Sequence, residues 1–272
     1  DPLTADEATL HADINEEASS ATDSYLYQFE SSSFAPGFYS NTLMGLNIHY
    51  ACQYMGVKKV LSIMTSCAYP DTGMEVLKEE TFWDGLPNKT IRAHGIAKRT
   101  LQTAAEAYND QYELNAVTVC ITNLYGPKDT FNLIRTKVVG ALIRKFVEAI
   151  DNGEAVECWG TGAPMREFMY VEDAAEAVVQ ALQKYDDPTQ PLNIGTGKDI
   201  SIKELVEHIV EATSFSGEVN WNTDKPDGQM KKLLDTTRMS KYVDLTPIEV
   251  KEGIKKTVKW YRGNKEYANS RK

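Results

Sequence analysis

No lysine or arginine occurs in the first 57 residues of this 272-residue chain, although that stretch carries Asp1, Asp6, Glu7, Asp13, Glu16, Glu17, Asp23 and Glu30. Beyond it 29 basic residues meet 31 acidic ones (39 less those eight), so most of the net charge of -10 belongs to the leading segment. Such a segment repels polyanions and argues against nucleic acid or an anionic membrane as partners. Its composition reads as a solvated or disordered arm, or as an arm that docks on a basic partner. Long apolar runs are missing too. None approaches the roughly 20 residues needed to cross a bilayer, and no basic start leads into an apolar stretch as in a secretory signal. The expected setting is therefore a reducing one, cytoplasm or organelle matrix, without membrane insertion or secretion. Cysteine is scarce: Cys52, Cys67, Cys120 and Cys158 show no metal-ligand spacing and sit in apolar surroundings such as Val117-Thr118-Val119-Cys120-Ile121. That favours reduced, buried thiols over a disulfide framework or a metal site. The chain opens on Asp1-Pro2 instead of Met, so a processed, truncated or partly observed polypeptide is expected.

What is present alternates helix and strand. Apolar residues near helical spacing predict a helix over 42–55, with Gly56 as its stop. Lys59–Met64 reads as a short strand buried on both faces. A long helix over 93–109 and a strand over 116–121 follow, then a helix over 136–151. The second half is expected to hold strands at 155–158, 192–194 and 219–221, and helices over 171–184 and 202–213. Ser201 and Glu204 make a capping box for the second of these helices. Pro247 leads a last helix to about Tyr261. This order predicts an α/β fold, a doubly wound Rossmann-like parallel sheet with a smaller C-terminal α/β domain. The expected divisions are an atypical acidic segment at 1–40, a partial Rossmann-like domain at 41–134 and a sugar-nucleotide-binding domain at 135–272.

A dinucleotide-binding sheet normally opens with a strand, a G-x-G-x-x-G turn and a helix, whose backbone N–H groups approach a pyrophosphate. The sequence contains no such turn, and Gly195-Thr196-Gly197 lacks the third glycine. The expected sheet is therefore incomplete at its N-terminal half.

Six motifs occur in a fixed order: Thr65-Ser66-Cys67-Ala68-Tyr69-Pro70, His94-Gly95-Ile96-Ala97-Lys98, Asn123-Leu124-Tyr125-Gly126-Pro127, Trp159-Gly160-Thr161-Gly162-Ala163-Pro164-Met165-Arg166-Glu167-Phe168, Asn193–Gly197, and Lys225-Pro226-Asp227-Gly228 running on to Lys231-Lys232-Leu233-Leu234-Asp235. Together they resemble the extended short-chain dehydrogenases and, within them, GDP-L-fucose synthases, over residues 38 to 263. The resemblance implies NADP(H), a GDP-linked 4-keto-6-deoxy sugar, and epimerisation beside the ketone followed by its reduction. It also implies a homodimer paired through helices, for which 94–112 and 136–151 are the candidates.

Carried onto this chain, the resemblance makes Thr65 the hydroxyl at the carbonyl, Cys67 an epimerisation residue and Lys98 the lysine. A tyrosine is expected one helical turn before that lysine, but His94 stands there. A second epimerisation residue, a histidine in the family, aligns with Lys137. Substrate binding falls to Asn123, Trp159, Arg166 and Lys225, where arginine and lysine suit phosphate. Cofactor binding falls to Lys98, Asn123 and Leu124. No metal is implied. His11, His49 and His208 read as surface or packing residues, Tyr69 and Tyr125 as loop wedges, and Asp173 as capping or orienting the helix that follows.

Two readings follow. One is a fragment or variant of an active NADPH-dependent epimerase-reductase. The other is a chain that has lost the full reaction and is kept for nucleotide-sugar binding or as a structural subunit; the changes at 94 and 137 favour it. A third, weaker reading is an epimerase or dehydratase acting on another nucleotide sugar.

Overall fold

The computed structural model describes residues 34–270, apart from 74–75, 134–135, 226 and 228–229. The acidic segment through residue 33, with His11, lies outside the described residues.

Helix α1 spans Phe34–Tyr54, two turns earlier than the periodicity predicts. Pro36 is tolerated because the first helical turn has no backbone acceptor for its missing N–H. Asn41, buried, donates its side-chain amide to the Gly37 carbonyl at 2.8 Å and ties that first turn down. Gly56 ends the segment at φ +67, a conformation that costs glycine nothing. Strand β1 (Lys59–Thr65) leads through a short turn and strand β2 (Val76–Leu77) into helix α2 (Arg92–Tyr112) and strand β3 (Asn115–Ile121).

β3 explains its own composition. Val117, Val119 and Ile121 face one apolar cluster with Met169, Ala174, Ala177 and Leu192. Ala116 and Cys120 face the other side, against Ala105, Leu114, Met64 and Leu101. A strand covered on both faces is mostly apolar, and its buried polar exception, Thr118, donates its hydroxyl to the Gln102 side chain.

Strand β4 (Asn123–Tyr125) follows, then helix α3 (Val138–Asn152), strand β5 (Val156–Trp159), strand β6 (Met165–Tyr170) and helix α4 (Val171–Lys184). Strand β7 (Leu192–Ile194) and strand β8 (Asp199–Ser201) lead into helix α5 (Ile202–Thr213), strand β9 (Val219–Asn222) and strand β10 (Lys231–Leu234). Helices α6 (Val250–Gly263) and α7 (Lys265–Ser270) close the chain. Pro247 stands before α6, but Glu249 is the residue that flanks its start. The Ser201 hydroxyl accepts the Glu204 N–H at 3.0 Å, as the capping pattern predicts.

Sheet one is parallel, in the order β1-β3-β7. Sheet two runs β2-β10-β6-β4, with β8 antiparallel on β6, and β5 pairs β9 separately. The expected division at residue 134 is interleaved, because β7 and α4 return from the second half to complete the first sheet and its cover. The helix expected as a pairing surface at 136–151 is α3, and Val139, Leu142, Ile143 and Phe146 bury its apolar face within the chain. α2 instead lies against α1. That pair leaves Tyr39, Met44, Ile48, Tyr50 and Tyr54 exposed.

Candidate functional site

Parallel sheets place ligands at the carboxyl ends of their strands, and most of the candidates gather there. Thr65 ends β1, and its hydroxyl accepts the Cys67 N–H at 3.3 Å, holding the following turn. Cys67 is half-buried and lies 3.6 Å from the Lys232 ammonium on β10. The start of α2 presses on the same turn: a Cβ on Gly95 would stand 2.6 Å from the Cys67 carbonyl oxygen. His94 and Lys98, one turn apart on α2, are thereby brought beside Cys67. Asn123 and Leu124 follow the end of β3 and are exposed. The Asn123 amide donates to the Glu167 carbonyl at 2.9 Å.

Lys137 flanks the N-terminus of α3 and is exposed. Its charge reaches His94, as do those of Lys98 and Lys232. Burial and then these three ammonium groups push the His94 imidazole down to about 4, so it is neutral near pH 7. Burial also lowers the pKa of the Lys98 ammonium.

The sign for stability follows. The unfolded ring protonates near 6.5 and the folded ring near 4, so between those values the unfolded chain binds more protons. Stability from this group is complete above about 6.5 and falls as pH drops toward 4. His94→Asn is expected to flatten that part of the pH–stability curve. A variant whose midpoint in urea falls between pH 6.5 and 4.5 as steeply as that of the parent would refute the assignment.

The substrate candidates divide between two places. Arg166 is half-buried on β6 and opposes Lys232 of β10 in register, so it joins the Cys67 end. One of its guanidinium N–H groups donates to the Met165 carbonyl at 2.7 Å. Trp159 and Lys225 form a second cluster. Trp159 is 62% exposed, and the ammonium groups of Lys145 and Lys225 each stand 5.4 Å from its ring centroid. Asp227 sets this up: its carboxylate accepts the Thr161 N–H at 2.7 Å and the Thr161 hydroxyl at 2.8 Å. Asp227 is thereby fastened to Thr161, next to Trp159 and Gly160. Gly160, at φ +77, admits the carboxylate where a Cβ would collide with it.

Three residues here carry roles that the motifs left unassigned. Lys232 stands in the quoted Lys-Lys pair but signals nothing until β10 lies beside β6. Lys145 carries no motif. Glu167 is fully buried, and its carboxylate accepts the N–H groups of Thr196, Gly197 and Leu234 at 2.6, 2.8 and 3.0 Å. Burial nonetheless raises its pKa.

Other expectations are corrected by contacts. Asp173 does not cap α4 but accepts the Ile248 N–H at 2.9 Å. Tyr69 is not a simple wedge: its buried hydroxyl donates to Asn193 Oδ1 at 2.7 Å. Tyr125 is core. His49 is a buried packing residue whose ring nitrogen lies 2.8 Å from the Gly45 carbonyl, and His208 pairs with Glu204 along α5. All four cysteines are free thiols. Among the described residues no group of three or more His, Cys, Asp or Glu could hold a metal, and no helix is long and apolar enough to cross a membrane. A hollow of about 440 Å3 between the end of α3 and residues 214–218 contains none of the candidates.

For a nicotinamide dinucleotide the fit is one-ended. Lys98, Asn123 and Leu124 are the residues expected at its reactive end, and no glycine-rich strand-to-helix turn for the pyrophosphate occurs among the described residues. Nor does a described strand line the outer edge of β1.

Comparison with known proteins agrees with this layout. The NAD dependent epimerase/dehydratase family matches residues 28–195. GDP-L-fucose synthase 1 of Arabidopsis thaliana is 35% identical over 82% of this chain and 69% of its own length. GDP-L-fucose synthase of Escherichia coli is 35% identical over 84% of this chain and 74% of its own length. The crystal structure of a GDP-L-fucose synthetase from Naegleria fowleri bound to NADP superposes with a TM-score of 0.80, at 29% identity over 85% of this chain and 74% of that one.

Proposed function

The chain belongs to the NAD dependent epimerase/dehydratase family, and from that premise we propose that it binds a GDP-linked sugar without completing the epimerase-reductase reaction. The observation that carries this reading is His94. In the tyrosine position it is a neutral, shorter side chain held among three ammonium groups. A proton donor must reach the carbonyl oxygen at hydrogen-bond distance and hold its proton near neutrality. An imidazolium that forms only near pH 4 does not supply that proton. Lys137, exposed, stands in the second epimerisation position in place of the family's histidine.

The nucleotide end is better furnished. Trp159 offers an exposed aromatic face for a base, and Lys145 and Lys225 flank it with charge suited to phosphate. Lys232, 3.6 Å from Cys67, and Arg166, opposite it in register, add two further cations. When bound, NADP(H) would supply a hydride, with Lys98, Asn123 and Leu124 as the residues beside it; nothing in the binding proposal depends on it.

A second reading, an active enzyme, is favoured by the convergence of Thr65, Cys67 and Lys98 around His94. Calorimetric titration with GDP and, in parallel, with NADPH separates the two. Saturable GDP binding is expected, and His94→Tyr is expected not to create NADPH oxidation with a GDP-4-keto-6-deoxy sugar. Turnover in the parent or in that variant would restore the enzyme reading. Binding of neither nucleotide would turn the search toward protein partners.

A further inference from the structure

The sheet face that carries Trp159 holds more than an aromatic ring and its lysines. Along β5, Val156 and Cys158 are buried, and Glu157 and Trp159 are exposed on the opposite face. Register sets Asn220 of β9 opposite Glu157 and Asn222 opposite Trp159. Glu157 is the hub of this face. One of its carboxylate oxygens accepts the Trp159 indole N–H at 3.1 Å, and the other accepts the Asn222 side-chain amide at 3.2 Å. Its backbone carbonyl accepts the Lys145 ammonium at 3.3 Å. An indole N–H lies in the plane of its ring, so the carboxylate sits at the edge of the aromatic face and not over it. A carboxylate accepts about four hydrogen bonds in all, so Glu157 keeps capacity for a ligand beside the ring.

Lysines suit a diphosphate, but a carboxylate beside them does not. Its charge opposes that of the phosphates unless another part of the ligand donates to it. Guanine presents two donors side by side, the ring N1–H and the 2-amino group, matched to the two oxygens of one carboxylate. Adenine and cytosine set an acceptor nitrogen beside their amino group, and uracil flanks its one N–H with carbonyls. Each of those bases would turn lone pairs toward Glu157. We propose that Glu157 selects guanine, its carboxylate accepting the N1–H and a 2-amino N–H of a base stacked on Trp159. The exposed Asn220 amide, opposite Glu157 in register, donates to the neighbouring carbonyl oxygen of the same base. This rests on the nucleotide-sugar reading above and names the residue that chooses its base.

The test is a set of calorimetric titrations with GDP, with IDP, which lacks only the 2-amino group, with ADP and with 2′-deoxy-GDP. GDP is expected to bind about tenfold more tightly than IDP, the scale of one hydrogen bond to a charged group, and ADP more weakly than either. Glu157→Gln should bring the GDP-to-IDP ratio close to one, because its amide turns a donor toward the guanine donors. The ratio is read within each variant, so a general loss of affinity cancels. Equal affinity for GDP and IDP in the parent overturns the proposal and leaves the nucleotide-sugar reading standing. So does a ratio that survives Glu157→Gln, which would limit Glu157 to orienting the indole. A loss with 2′-deoxy-GDP that disappears in Glu157→Gln would put the carboxylate on the ribose and overturn the proposal as well. Failure of GDP itself to bind overturns the nucleotide-sugar reading, and this proposal with it.

Discussion

Glu167→Ala is expected to cost about 2–4 kcal/mol of folding stability, read from the urea midpoint, because it strips three backbone N–H groups, one buried (Leu234) and two partly buried (Thr196 and Gly197), of their shared acceptor. The carboxylate is fully buried and joins three segments: the strand β6 that carries it, the Thr196-Gly197 turn after β7, and Leu234 on β10. Its carboxyl group lies hard against Gly195, where no larger residue fits. Each N–H left without an acceptor in an apolar interior costs about 1–3 kcal/mol, and water entering the vacated space recovers part of that. Glu167→Gln should fall between parent and alanine. Its carbonyl can still serve Thr196 and Gly197, but its amide then meets the Leu234 N–H, donor against donor. A loss under about 1 kcal/mol in the alanine variant would show that the three segments hold together without the clasp. The consequence reaches the site, since β10 carries Lys232 to within 3.6 Å of Cys67.

Arg99→Met is the second large effect, expected at about 2–4 kcal/mol together with a loosened Cys67 turn. Arg99 is 5% exposed and donates to the carbonyls of Ala68 and Gly85, each at 2.6 Å. Its guanidinium also lies 5.2 Å from the Phe82 ring centroid and 5.5 Å from that of Trp83. One planar cation thus fastens both ends of the long segment between β1 and α2 to the helix that carries His94. Methionine fills the volume but leaves both carbonyls unanswered. Lysine should not rescue the variant, because a single ammonium cannot present the guanidinium's fork to two acceptors and also stack on the rings. The checks are the urea midpoint and the rate of proteolytic cleavage within residues 66–91. Unchanged cleavage in a destabilised Arg99→Met protein would show that the arginine supports the core and leaves the turn indifferent.

The strands that sequence patterning found and those it missed differ for a physical reason. β3 is covered on both faces, so its residues are mostly apolar and readable, and its neighbour β1 carries a similar apolar run although Ile63 is half exposed. β6 is central in the second sheet, yet it opens Met165-Arg166-Glu167. Its buried Glu167 is answered by partners far away in sequence, Thr196, Gly197 and Leu234. No local pattern predicts that burial. β10, Lys231–Leu234, starts on two lysines and is equally silent. At α1, Pro36 and Gly37 fall in the first turn, the one part of a helix where proline is at home.

By itself the sequence determined the α/β class, the family, and the identities at 94 and 137, because these depend on local periodicity and on short motifs in order. The tertiary structure alone decided which cations share a site. It placed Lys232 beside Cys67, drew Lys137 to within reach of His94, and set Lys145 and Lys225 over one tryptophan ring. Charge acts through space. Residues more than a hundred positions apart become neighbours only when a parallel sheet brings their strands side by side.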